Sequence, residues 1–284
     1  MFTNENLTEV INRVNFDNKS ILTVASSSDQ AFNFILAGAK SIDMFDINKL
    51  TEFYFYLKKA LIEELSYKEF LSFYFTGMIF KKISLSKELY FKIKDRLPEG
   101  RIRGLWDYLF DNYSSDELSK LFIGEFNSIK TIRFRNKYLE NEANYRALKH
   151  KLANFNNVRF FTKNIINEDI DISDKYDYIY LSNILDGIKV NTKREYLNIV
   201  NKLMTKLDSN LTEDGRIILG YFHMFLDSSW TDRDNVNMQS ILALHDSYRN
   251  YVVNNCEIID FPGGLIPNSK RSEDRDVIIL HKKK

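Results

Sequence analysis

Short bursts of branched and aromatic apolar residues alternate along this chain with longer stretches whose apolar positions recur at helical spacing. Ser20 to Ala25 is one such burst and reads as a strand. A polar turn, Ser26-Ser27-Ser28, follows it. The pattern then predicts a helix from near Asp29 to Gly38, with Gly38 as the residue just past its end. A second strand spans Ser41 to Phe45 and ends at Asp46. The next helix sets Leu50, Phe53, Leu57, Leu61 and Leu65 on one face.

From Ser66 to about Leu152 the pattern is helical with breaks at Pro98, Gly100 and Gly104, too long for one crossover helix. Residues 66–152 are expected to be a helical insertion within a single domain spanning 1–284. Ser66 with Glu69, Ser114 with Glu117 and Thr192 with Glu195 have the spacing of capping boxes. Strand character returns at Val158–Phe161 and at Tyr176–Leu181. A helix carrying Tyr196, Ile199, Leu203 and Leu207 on one side comes next. Asp214-Gly215 is expected to turn into a strand from Arg216 to Phe222. A helix around Asn237 to Asn250 and strands at Cys256–Phe261 and Asp276–His281 complete the pattern.

Alternating strands and helices imply an α/β protein with a mostly parallel sheet. No helical crossover separates the last two strands, so they are expected to form an antiparallel pair at one edge. That is the architecture of the class I Rossmann-like methyltransferase fold.

Bulk properties narrow the function less than the pattern does. Net charge is +1, which offers no global field for nucleic acid, and the hydrophobic fraction of 44% is ordinary for a globular chain. The single cysteine, Cys256, leaves no internal disulfide, and His150, His223, His245 and His281 lack metal-ligand spacing. There is no phosphate-loop lysine motif and no serine-nucleophile elbow. The polar N-terminus and the absence of a long apolar run lead us to expect a cytoplasmic protein. Any membrane contact is expected to be peripheral, with Lys282, Lys283 and Lys284 as a solvated tail.

In an open parallel sheet, ligands lie beyond the carboxyl ends of the strands. This rule selects Ser26 to Gln30, Asp46 to Asn48, Thr162 to Ile166, Ser182 to Gly187, and the segment from His223 onward. Asp46 stands about 20 residues after the turn, the spacing of a ribose-binding acid, although an ordinary strand-terminal Asp would occupy the same place. Ser26, Ser27, Ser28, Asp29 and Gln30 stand where glycines usually let a backbone approach a nucleotide. A carboxylate at Asp29 would repel pyrophosphate at a helix N-terminus and suit an ammonium group, which favours S-adenosylmethionine over NAD or ATP. Capping of the helix is the other role open to Asp29. Ser182, Asn183 and Asp186 would face the sulfonium and the acceptor, or cap the next turn. Asp186 or His223 could take the proton of an acceptor hydroxyl.

Three segments together resemble the domain-of-unknown-function 3419 family: TVASSSDQAFNFILAGAKSIDMFDIN, LKKALIEELSYKEFLSFY and YDYIYLSNILDGI. Further support comes from LPEGRIRGLWDYLF and YLENEANYRALKHKL. That family includes bacterial S-adenosylmethionine:diacylglycerol 3-amino-3-carboxypropyltransferases. The resemblance implies that Ser26 to Gln30 hold the methionine part and Asp46 the ribose, that Asn164 and Ile165 flank the adenine, and that Ser182, Asn183 and Asp186 line the reaction side; Asn48, in the loop after Asp46, is a further cofactor-binding candidate. It also implies transfer of a 3-amino-3-carboxypropyl group to a lipid or small-molecule acceptor. An S-adenosylmethionine-dependent methyltransferase and a non-catalytic S-adenosylmethionine-binding protein are the alternatives.

Overall fold

The computed structural model of the chain describes residues 2–76, 82–83, 85–122, 128–168, 174–188, 190–222, 256–262 and 275–282. Among these, one sheet is built from β1 (Ser20–Val24), β2 (Ser41–Asp46), β3 (Val158–Thr162), β4 (Tyr176–Ser182), β5 (Leu211–Phe222), β6 (Cys256–Pro262) and β7 (Arg275–Lys282). Their order is β3-β2-β1-β4-β5-β7-β6. The first five are mutually parallel, and β7 runs antiparallel to both β5 and β6. The expected antiparallel pair therefore closes one edge, with β6 outermost and the reversed β7 one strand in. This order with one reversed strand is the class I Rossmann-like methyltransferase arrangement.

Strand alternation sorts the core onto the two faces of the sheet. Ile21, Ile42, Met44, Tyr180, Ile218 and Ile278 point to one face. That face is covered by α1 (Leu7–Arg13), α2 (Asp29–Leu36), α3 (Leu50–Glu64) and the helices that follow α3. Leu22, Phe45, Ile179, Leu181, Ile217 and Ile279 point to the other, where α11 (Lys193–Asp208) lays down Tyr196, Val200, Leu203 and Leu207. Burying each such side chain contributes roughly 1.5–3 kcal/mol before the ordering entropy is subtracted.

Between β2 and β3 the chain runs through α3, α4 (Tyr67–Tyr74), α5 (Lys87–Ile93), α6 (Arg101–Asn112), α7 (Ser115–Phe122), α8 (Ile129–Arg135), α9 (Lys137–Glu140) and α10 (Glu142–Leu152). Most of its aromatics are core, while Phe91, Tyr108 and Tyr113 are exposed. Trp106 is buried and its indole N–H donates to the Phe53 carbonyl at 3.0 Å, while Tyr90 stacks on Phe110. Capping boxes form at Ser66–Glu69 and Thr192–Glu195, and Ser114 and Glu117 exchange the equivalent bonds. On α3, Leu57, Leu61 and Leu65 are buried as their spacing predicts, but Leu50 is 48% exposed because it stands on the first turn, beside the ends of the strands.

Two local features differ from the pattern or sharpen it. β5 begins at Leu211 rather than Arg216. The residues expected to turn, Asp214 and Gly215, lie in an irregular stretch where Tyr176 pairs with Leu211 but Tyr178 pairs with Arg216. A Cβ at Gly215 would come within 2.8 Å of the Tyr176 carbonyl oxygen, so the stretch needs glycine there. At the end of α2, Gly38 has φ +98°. Its N–H donates to Ile35 O and that of Ala39 to Phe34 O, which closes a Schellman motif. Gly38→Ala would force a side chain into the left-handed region and against Asp17, and is expected to cost about 1–3 kcal/mol in denaturant unfolding. The predicted helix at Asn237–Asn250 lies outside the described residues.

Candidate functional site

β2 lies on one side of β1 and β4 on the other, so the crossovers leave β1 in opposite directions and open a crevice at the carboxyl ends of these strands. The β1–α2 turn forms its floor. Ser26 has φ +40° and Ser28 φ +67° with ψ 0°. The turn thus keeps the left-handed backbone that glycine usually supplies, with serines bearing the strain. The Ser28 hydroxyl is buried and has no hydrogen-bond partner among the described residues. Ser28→Gly should therefore relieve strain without losing a bond. We expect it to stabilise the protein by about 1 kcal/mol in denaturant unfolding, and a loss of stability would show that the hydroxyl is used.

Asp46 ends β2 and reaches across to this turn. Its Oδ2 accepts from the Ser26 amide at 2.9 Å and its Oδ1 from the Asn48 amide at 2.9 Å. Each oxygen keeps a second lone pair for another donor. The Asn48 side chain accepts from the Leu50 amide, which fixes the start of α3. Beside Asp46 lies a cleft of about 320 Å³, lined by Val24, Phe45 and Ile47 on one side and by Asn164, Ile165 and Ile166 on the other. Lys163 and Ile184 complete it. Ile47 is 72% exposed at its rim. The structure thus brings Asp46, Asn164 and Ile165 together around one apolar cleft. Ile47, Lys163 and Ile184 fall in the strand-end loops that the sequence selects, although none was singled out there as a contact residue.

Asp29 is placed differently from the expectation, and its role as a ligand contact is corrected. It is fully buried and turned into the protein. Its Oδ1 accepts from Lys58 Nζ at 2.6 Å and Tyr138 OH at 2.7 Å; its Oδ2 accepts from the Thr3 amide at 2.7 Å and Ser27 Oγ at 3.0 Å. Four donors occupy the four lone-pair sites of the carboxylate, which leaves none for an ammonium group. Lys58 is itself fully buried, donates to the Ser27 carbonyl at 2.9 Å and lies 4.2 Å from the centre of the Phe2 ring. Burial pulls the Lys58 ammonium below the usual lysine range, and the Asp29 charge opposes that pull. Burial and the same carboxylate hold the Tyr138 phenol well above its usual range. The signal for this pair was a lone lysine among the buried positions of α3, between Leu57 and Leu61.

At the end of β4, Ser182 has φ +54° and is buried, with Asn183 half-buried after it. The acid that meets Ser182 comes from the N-terminal segment. The Glu5 carboxylate accepts from the Ser182 hydroxyl, from Tyr180 OH at 2.9 Å and from the Gln30 amide at 3.4 Å. Nothing in the local pattern around Glu5 marked it. Asp186 follows on a 3-10 turn, Ile184–Gly187, and its backbone is at the crevice, while its side chain and all of His223 lie outside the described residues. Among the described residues no group of His, Cys, Asp and Glu is arranged to hold a metal ion, and no helix is long and apolar enough to cross a membrane.

No protein-family model matches the sequence, and no curated protein matches it. Solved structures share its outline at low similarity. The N-methyltransferase NodS from Bradyrhizobium japonicum is 6% identical, with 98% of this chain and 93% of that one covered at a TM-score of 0.42. An rRNA methylase from Streptococcus thermophilus is 10% identical, with 98% and 94% covered at 0.36. A TehB-like SAM-dependent methyltransferase from Corynebacterium glutamicum is 9% identical, with 99% and 88% covered at 0.39. Likenesses this slight assign neither a family nor a ligand to the chain.

Proposed function

We propose that the protein is an S-adenosylmethionine-dependent transferase that moves the 3-amino-3-carboxypropyl group to a lipid or small-molecule acceptor. The observation that carries the cofactor is the Asp46 carboxylate. It is fixed against the Ser26 amide, has lone pairs to spare, and stands at the edge of an apolar cleft. Ribose hydroxyls suit the acid, and a planar base suits Val24, Phe45, Ile165 and the exposed Ile47. Ligand clefts for whole drug-sized molecules span roughly 300–1,000 Å³. At about 320 Å³ this one matches a nucleoside, with the remainder of the ligand directed toward Ser182.

A pyrophosphate cofactor fits less well, because it relies on bare amides at the N-terminus of α2. Here the Asp29 carboxylate and the segment around Thr3 cover that end. S-adenosylmethionine supplies a sulfonium whose neighbouring carbons are open to a nucleophile. The choice between those carbons is one of orientation. Attack at the carbon of the amino-acid arm breaks that C–S bond, leaves the electron pair on sulfur and releases methylthioadenosine. Attack at the methyl group releases S-adenosylhomocysteine. The resemblance of the sequence segments to the aminocarboxypropyltransferases favours the first reading, and Asp186, on the turn after β4, is the proposed base for the acceptor hydroxyl.

Calorimetry with S-adenosylmethionine tests the cofactor, and identification of the sulfur product tests the reaction. Methylthioadenosine is the expected product. S-adenosylhomocysteine would make the protein a methyltransferase. Binding without turnover across lipid and small-molecule acceptors would favour a non-catalytic binding protein, and absence of binding would refute all three.

A further inference from the structure

Three hydrogen-bond donors converge on one carboxylate at the mouth between β1 and β4, and that carboxylate belongs to the chain itself. Tyr180 and Ser182 come from β4, Gln30 from the first turn of α2, and Glu5 from the segment ahead of α1. Glu5 is 2% exposed, so it fills the space that the strand order reserves for ligand. Gln30 is 1% exposed; its amide N–H₂ faces Glu5, while its Oε1 has no partner among the described residues. A donor set for a carboxylate with an unsatisfied acceptor on the same residue fits the two ends of an α-amino acid.

We propose that Gln30, Tyr180 and Ser182 form a cradle for the α-carboxylate of an amino-acid ligand, and that Glu5 occupies it as an internal stand-in which the ligand displaces. This rests on the S-adenosylmethionine reading above and names the part of the site that holds the methionine arm. The segment bearing Glu5 is anchored at Thr3. The Thr3 amide donates to Asp29, and Arg135 donates to the Thr3 carbonyl at 3.1 Å. Displacement of Glu5 therefore loosens the segment locally while its anchors to α2 and α8 remain.

Two nucleosides separate this idea from the reading beneath it. S-adenosylhomocysteine carries the amino-acid arm; 5′-methylthioadenosine has the same adenosine and a thioether but lacks it. Glu5→Ala is expected to bind S-adenosylhomocysteine at least about tenfold more tightly than the parent protein, with methylthioadenosine unchanged within about twofold. Adding Ser182→Ala and Tyr180→Phe to Glu5→Ala should reverse the gain. In the parent protein, S-adenosylhomocysteine should speed hydrogen exchange at the Glu5 amide, and methylthioadenosine should not. That measurement needs no variant and holds even if Glu5→Ala folds poorly. Weaker binding of S-adenosylhomocysteine by Glu5→Ala, an equal shift for both nucleosides, or slower exchange at the Glu5 amide would each overturn the proposal while leaving the cofactor reading intact. Failure of both nucleosides to bind the parent and the variant would overturn both.

Discussion

Lys58→Met is expected to destabilise the protein by about 3–5 kcal/mol, the range for removing one partner of a buried ion pair. The ammonium and the Asp29 carboxylate are each completely enclosed and 2.6 Å apart. Methionine matches the length of the lysine stem, so the space beside Phe2 and Tyr54 stays filled, and the loss reports the stranded charge on Asp29 together with the two cation–ring contacts of the ammonium. Tyr138, Ser27 and the Thr3 amide still donate to that carboxylate, but none neutralises it. The companion variant Asp29→Asn with Lys58→Met removes both charges. It should cost clearly less than the sum of the two single changes, because the residues share one network. Denaturant unfolding of the four proteins measures the cycle. A loss below about 1 kcal/mol for Lys58→Met would show that the site relaxes or admits water.

Asp46→Ala is expected to weaken binding of adenosine-containing ligands by about a hundredfold, since hydrogen bonds to a charged group contribute roughly 1.5–3 kcal/mol each. The acid has two tasks. It presents lone pairs toward the cleft, and it clamps the Ser26 and Asn48 amides that set the turn and the entry to α3. Asp46→Asn preserves one acceptor oxygen and should fall between the parent protein and Asp46→Ala. Calorimetry with methylthioadenosine reads this without involving the amino-acid arm. Equal affinity in all three proteins would remove Asp46 from the site and, with it, the reading of the cleft as a nucleoside pocket.

The run from Ser20 to Asp46 was legible because each part is set locally. The switch from branched apolar residues to a helical pattern, the glycine past α2 and the acid closing β2 all act through near neighbours. The polar-atom accounting at Asp29 was not. Its position at the head of a helix is compatible with a cap, a ligand contact or a buried ion pair. What decides among them is Lys58, Tyr138 and Thr3, brought in from distant parts of the chain. Glu5 was hidden for the same reason, since its partners sit on β4 and α2. The start of β5 was misplaced because Asp214-Gly215 has turn chemistry, and only the pairing with β4 shows that the strand absorbs it as an irregularity. The serines of the β1–α2 turn carried a different ambiguity. Sequence shows which residues replace glycine, but only backbone angles show that Ser26 and Ser28 keep the left-handed geometry.

The pairing of β2 with β3 carries an expectation about the order in which the molecule assembles. Asp43 and Arg159 lie opposite each other in register and are 116 positions apart, with α3 to α10 between them. Closing so long a loop is entropically costly if it happens before the intervening helices form, and distant pairings slow folding. The helices are therefore expected to condense first on the β1–α2–β2 unit, through bonds such as those between Asn33, Asn136 and Lys137, with β3 docking afterwards. The cleft beside Asp46 takes one wall from residues that precede α3 and the other from residues that follow α10. During refolding, nucleoside binding should therefore appear as a late event, lagging behind the recovery of helical signal.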